Sequence, residues 1–246
     1  MDPCSEKVSE RWNYGDCNKR FANGSVHISM AKAPTEDQWR SDRLKDEDRV
    51  GRAEDASNGY EAVAEDFTRL RLQSPTGLAI VRKWAASLPR GGCVLDVGAG
   101  SGEPLTAALI EAGLDVSAID ASPTMVAAFQ RRFPGVEVAC EPAEYSRFFE
   151  RTFDGALAIG LVFLLPADSQ RQLIRRMAAA LKPGGRLLFS APREVCVWDD
   201  LLTGQPSSSL GADEYRRIAA GSGLNILSEY IDEGENHYYE ARAGRC

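Results

Sequence analysis

The stretch "VLDVGAGSGEP", residues 94–104, sets Asp96 ahead of three glycines at alternate positions, Gly98, Gly100 and Gly102, and closes a short apolar run. The run reads as a buried strand, and "EPLTAALIEAG" after it reads as a helix with Pro104 near its start and Gly113 past its end. A strand that ends in a tight glycine turn and opens a helix brings main-chain atoms against a ligand at the carboxyl edge of a sheet. Dinucleotide turns follow G-x-G-x-x-G, but the position completing that spacing after Gly98 and Gly100 is Glu103. A carboxylate at a helix start repels a pyrophosphate, so the turn suits a ligand without phosphates.

Working outward, apolar strands alternate with amphipathic helices from Asn58 onward. "YEAVAEDFTRLR" and "TGLAIVRKWAASL" have helical periodicity, and strands follow at "CVLDVG", "LDVSAID", "VEVAC", "FDGALAIG" and "GRLLFSAP". Ser122 and Pro123 make an N-cap and first turn for "TMVAAFQRRF", and "ADSQRQLIRRMAAALKPGG" is a helix closed by a Lys-Pro-Gly-Gly turn. After residue 191 comes a long loop with at least one short helix, a candidate cover for a site. "LNILSEY" and "NHYYEARA" are joined by too few residues for a crossover helix and therefore run antiparallel. The expected fold is α/β: a doubly wound, Rossmann-like sheet, mainly parallel with a final antiparallel pair, and helices on both faces. Residues 1–57 are mostly charged, with little to bury, and read as a flexible arm with a helical turn or two around Glu36 to Arg49. Met30 offers an alternative start, and residues 58–246 form the folded domain.

The chain has 246 residues and a net charge of -7, from 29 basic and 36 acidic side chains. That balance argues against a nucleic-acid partner, since phosphate backbones are bound by neutralising them. No apolar run approaches the roughly 20 residues that span a bilayer, so no membrane partner and a cytoplasmic setting are expected. Six cysteines without a C-x-x-C, and only two histidines, His27 and His237, provide no zinc-type cluster; reduced thiols and no metal follow.

Asp120 ends the second strand, where a carboxylate accepts hydrogen bonds from a ribose diol. Asp96 supplies a second carboxylate, either beside an ammonium group or as a cap for the nearby loop. A nucleoside at one end, a cation at the other and no phosphate describe S-adenosylmethionine. On "VLDVGAGSGEP", "AIDASPTMV", "FDGALAIGLVFLL" and "LKPGGRLLFSAP", with the final strand pair, the chain resembles the class I S-adenosylmethionine-dependent methyltransferases over residues 58–242. The resemblance implies methyl transfer to a small-molecule acceptor. It implies Asp96, Gly98, Ala99, Gly100 and Gly102 around the methionine part of the cofactor and Asp120 and Ala121 at the ribose. Ala143 and Glu144 fall near the adenine, although Pro142 stands close to the usual acidic position and Glu141 competes for the role. Gly160 leaves room beside the sulfonium methyl.

Methyl transfer is an in-line displacement in which the protein chiefly aligns the reactants and excludes water. If the last strand is antiparallel, Asn236 and His237 start at the cofactor edge. His237 is then either a general base or a structural strand residue. Tyr238 and Tyr239 point to opposite faces, so at most one joins the pocket. Tyr60 lies on a helix that closes over the cofactor in this family, with Arg69 or Arg71 beyond it as partners of the cofactor's carboxylate or as surface cations. Phe163 and Trp198 are candidate walls of an acceptor pocket. Two other readings stay open: a non-catalytic S-adenosylmethionine-binding or regulatory protein, and a nicotinamide-dependent oxidoreductase.

Overall fold

A computed structural model describes residues 55–244. The arm read from the sequence, its turns around residues 36–49 and Met30 lie outside them, apart from residues 55–57. A 3-10 turn, Tyr60–Val63, leads into α1 (Ala64–Gln73), followed by α2 (Leu78–Ala85), β1 (Cys93–Val97) and α3 (Leu105–Glu111). Then come β2 (Asp115–Asp120), α4 (Pro123–Arg132), β3 (Glu137–Cys140), β4 (Phe153–Ala158), α5 (Ala167–Ala179) and β5 (Leu181–Ser190). The chain continues through β6 (Val195–Asp199), β7 (Pro206–Leu210), α6 (Ala212–Gly221), β8 (Leu224–Ile231) and β9 (His237–Ala243).

Seven strands form one sheet in the order β3-β2-β1-β4-β5-β9-β8. Strands β1 to β5 are mutually parallel, and β9 runs antiparallel to both β5 and β8. Two-residue alternation divides the core between the faces. Leu95, Leu187, Phe189 and Tyr239 pack with α5 and α6 through Leu173, Met177, Tyr215 and Ile218. Val94, Leu157, Leu188 and Tyr238 pack with Val81 and Trp84 of α2 and Leu109 of α3. Strand order reverses between β1 and β4, which opens a crevice beyond their carboxyl ends, the usual ligand position in open α/β sheets.

Local chemistry accounts for the boundaries. Ser122 caps α4 by accepting the Met125 N–H at 3.1 Å, with Pro123 in the first turn. The Lys-Pro-Gly-Gly segment is not a separate turn. It bulges within β5, where pairing with β4 jumps from Phe153↔Leu181 to Gly155↔Arg186.

The expected long loop after residue 191 is a β-hairpin, β6 and β7, forming its own two-stranded sheet. It is anchored by Gln170 of α5, whose amide donates to the Leu165 and Ser208 carbonyls and accepts from the Tyr215 hydroxyl at 2.7 Å. Cys93 and Cys140 are free thiols, whereas Cys196 is disulfide-bonded, so the expectation of reduced thiols fails at that position. Among the described residues, no helix is long and apolar enough to cross a membrane, and no acidic, His and Cys group could hold a metal.

Candidate functional site

A cleft with about 960 Å³ of empty space, part of it open to solvent, lies at the carboxyl ends of β1, β2, β4 and β5 under the 3-10 turn and α1. Of the residues singled out from the sequence, it gathers Gly98, Gly100, Asp120, Ala121, Ala143, Glu144, Gly160, Tyr60 and Asn236. Gly100 has φ 59°, a left-handed conformation that favours glycine, and its N–H donates to Asp120 Oδ2 at 2.7 Å. The Ser122 N–H donates to the other Asp120 oxygen at 2.9 Å. Burial raises the Asp120 pKa; these amides pull it back down, and Glu61 nearby pushes it up again. Each carboxylate oxygen keeps a lone pair for a ligand hydroxyl.

Three cofactor candidates sit behind the cleft and do not line it. Asp96 is buried and accepts the Thr106 hydroxyl at 2.6 Å, which ties β1 to α3. Burial drives its pKa up to about 6. Ala99 joins the turn to β2 through its N–H and the Ile119 carbonyl. Gly102 is required by packing: a Cβ there would come within 2.5 Å of Phe133 and 2.9 Å of Phe129. Glu103 is also not a bare charge, because Arg132 pairs with it at 2.6 Å.

Strand alternation favours the structural reading of His237. Tyr238 and Asn236 line the cleft, whereas the His237 ring points to the other face, where it pairs with Glu229 at 2.9 Å and packs edge-on against Tyr239. Burial lowers its pKa, opposed by Glu229. Phe163 and Trp198 do not line the cleft either. Their rings pack at 5.5 Å in a cluster with Tyr60, Met125 and Leu164 that supports the hairpin.

Two neighbouring residues fasten the cover. The Tyr60 hydroxyl donates to Asp200, the residue after β6, at 3.0 Å. Glu61 accepts the Ser122 hydroxyl, the Thr124 N–H at 3.2 Å and the Thr124 hydroxyl at 2.7 Å, at the N-terminus of α4. The Ser122 bond, foremost, holds the Glu61 pKa below its ordinary value. Sequence reasoning missed Asn58, Phe67, Met125, Leu161, Leu164 and Ser190, all of which line the cleft. Ser190 had a signal, near the carboxyl end of a predicted strand at the functional edge, and Met125, Leu161 and Leu164 lie within the quoted motifs.

Residues 94–185 match the family model described as a methyltransferase domain. No curated protein matches the chain. Among solved structures, a glycopeptide N-methyltransferase, MtfA, complexed with S-adenosyl-L-homocysteine superposes with TM-score 0.56 at 18% identity, covering 68% of this chain and 90% of that one. The 1,6-didemethyltoxoflavin-N1-methyltransferase of Burkholderia thailandensis, solved with its acceptor and S-adenosylhomocysteine, has TM-score 0.56 at 19% identity and covers 88% and 93%. The [4+2]-cyclase SpnF has TM-score 0.55 at 18% identity, covering 68% and 81%. At these identities the likeness is one of fold. Residues 94–185 are thus similar to a methyltransferase domain, and the mainly parallel, Rossmann-like sheet that carries them is shared with these solved structures.

Proposed function

We propose that this protein transfers a methyl group from S-adenosylmethionine to a small-molecule acceptor. The observation that carries this reading is a single cleft joining the glycine turn, the Asp120 carboxylate and Gly160. The residues fit the cofactor: Gly160 faces open space, with no atom within 4 Å of where a Cβ would stand, and Asp120 keeps lone pairs for a diol. The structures solved with S-adenosylhomocysteine on the same fold support the same assignment.

S-adenosylmethionine, when bound, supplies a methyl carbon activated by its positive sulfur. Asp120 and Ala121 hold the ribose, Gly98 and Gly100 border the amino-acid part, and Ala143 and Glu144 border the base. Asp96, Ala99 and Gly102 shape the turn from behind rather than touch the ligand. Phe67, Leu161, Leu164 and Leu165 make the remaining walls apolar and exclude water, which strengthens electrostatic interactions inside. The acidic net charge supports a free small molecule rather than a polyanion as the acceptor.

Calorimetric titration with S-adenosylmethionine, S-adenosylhomocysteine and NADH, followed by incubation with methyl-labelled cofactor and fractionated metabolites, tests the proposal. Sulfonium binding and label transfer are expected; tight NADH binding with no response to the sulfonium defeats it. The cyclase on this fold gives the second reading its footing: cofactor binding without label transfer to any fraction favours a non-methylating role.

A further inference from the structure

The cleft is chemically lopsided. Carboxylates line it on the β2 and β3 side, at Asp120, Glu141 and Glu144. The side formed by the cover and by β5 presents hydrogen-bond donors from three separate elements. Asn58 lines the cleft with φ 53°, and its side-chain N–H₂ is sheltered from solvent without a partner. A sheltered donor left unpaired is destabilising unless a ligand satisfies it. Asparagine tolerates a positive φ better than most residues, so the backbone there needs no further explanation.

Arg71 lines the cleft one turn beyond Phe67, and its guanidinium reaches only the Thr76 carbonyl, at 3.5 Å. It forms no ion pair among the described residues, in contrast to Arg69, which pairs with Asp66. Its partner Thr76 precedes Gly77, where a Cβ would stand 2.5 Å from the Tyr238 hydroxyl, so Arg71 lies on the β9 side of the cleft. Ser190 accepts the Gly160 N–H at 2.8 Å, and its own O–H has no acceptor among the described residues. Tyr238 adds no base here: its hydroxyl donates to Asp232 at 2.7 Å, and burial pushes its pKa well above the ordinary tyrosine range.

Resting on the methyl-transfer reading above, we infer that Asn58, Arg71 and Ser190 form a carboxylate-binding subsite, and that the methyl acceptor carries a carboxylate. A guanidinium with neutral N–H and O–H donors matches an anionic oxygen pair, whereas an ammonium group would meet the like charge of Arg71. The cofactor also has a carboxylate, but Ser190 stands on β5, two strands from the glycine turn of β1, which favours the acceptor as its source. An anionic acceptor beside a cationic cofactor also gains from mutual attraction in a cleft with apolar walls.

The test uses the full chain saturated with S-adenosylhomocysteine and titrated with benzoate or benzylamine, followed by ligand-observed NMR. Benzoate is expected to bind at least about tenfold more tightly than benzylamine. Asn58→Leu, Arg71→Met and Ser190→Ala are each expected to weaken benzoate by about fivefold or more, with S-adenosylhomocysteine binding retained as proof of folding. Equal binding of the two probes, or binding of neither, overturns the inference. A second arm compares S-adenosylhomocysteine with its decarboxylated analogue: if Arg71→Met weakens only the former, the subsite belongs to the cofactor and the acceptor assignment falls. Failure of wild-type protein to bind S-adenosylhomocysteine at all would instead remove the methyl-transfer reading beneath it.

Discussion

Replacing Asp96 with asparagine is expected to stabilise the protein near neutral pH, although it alters the first acidic residue of the glycine motif. The carboxyl is buried, with one hydrogen bond, from Thr106, which asparagine can keep through its own carbonyl oxygen. Burial moves its half-ionisation from 3.8 to about 6, so between those values the folded chain holds a proton that the unfolded chain has released. Stability therefore falls as pH rises through that window and stays lowered above it. At about 1.36 kcal/mol per pH unit, the loss is of order 3 kcal/mol. The amide of the Asp96→Asn variant does not ionise and escapes this loss, less whatever its second amide hydrogen costs if left unpaired. Urea unfolding of D96N and wild type at intervals from pH 4 to pH 8 measures the difference. The variant should gain on wild type as pH rises from about 4 to 6.5 and then hold a constant lead. A difference that is flat with pH, or that runs the other way, would refute the argument that Asp96 is a desolvated carboxylate.

Three further outcomes are expected. Asp120→Asn should weaken S-adenosylhomocysteine binding by about tenfold or more, since hydrogen bonds to charged groups contribute about 1.5–3 kcal/mol; calorimetry reads it, and an affinity within twofold of wild type would remove Asp120 from the ribose. Glu61→Gln should speed cofactor release severalfold in stopped flow by weakening the hold on Ser122 and Thr124, and because the Glu61 pKa is lowered, the wild-type hold should weaken only as pH drops below about 4.5. His237→Ala should lower the thermal midpoint through loss of the Glu229 contact yet leave cofactor affinity unchanged; a large loss of affinity would return His237 to the site.

Much of the fold was legible because its signals are local. The β1 turn, the Ser122-Pro123 cap and the short β8–β9 connection each lie within a dozen residues. The hairpin was not legible because its polarity is inverted: Val195 and Val197 are 60% and 54% exposed, while Ser207 and Ser209 are 2% and 3% exposed. Such a pattern reads as loop, since strand recognition assumes apolar residues inside. The face that His237 takes was not legible because the strand's direction was known without its register, where one position decides the face. Gly102 resembled a ligand glycine only because the Phe129 and Phe133 rings that exclude a side chain there arrive from α4 and the residue after it, 27 or more residues later. Glu61 had no sequence signal at all; its partners lie more than 60 residues away.

Consecutive residues Tyr60 and Glu61 reach in different directions, one toward the end of β6 and the other toward α4. A nucleoside exchanged through this cover would have to unhook both moorings together, and turnover at saturating reactants would then time a gate swinging rather than a bond being exchanged.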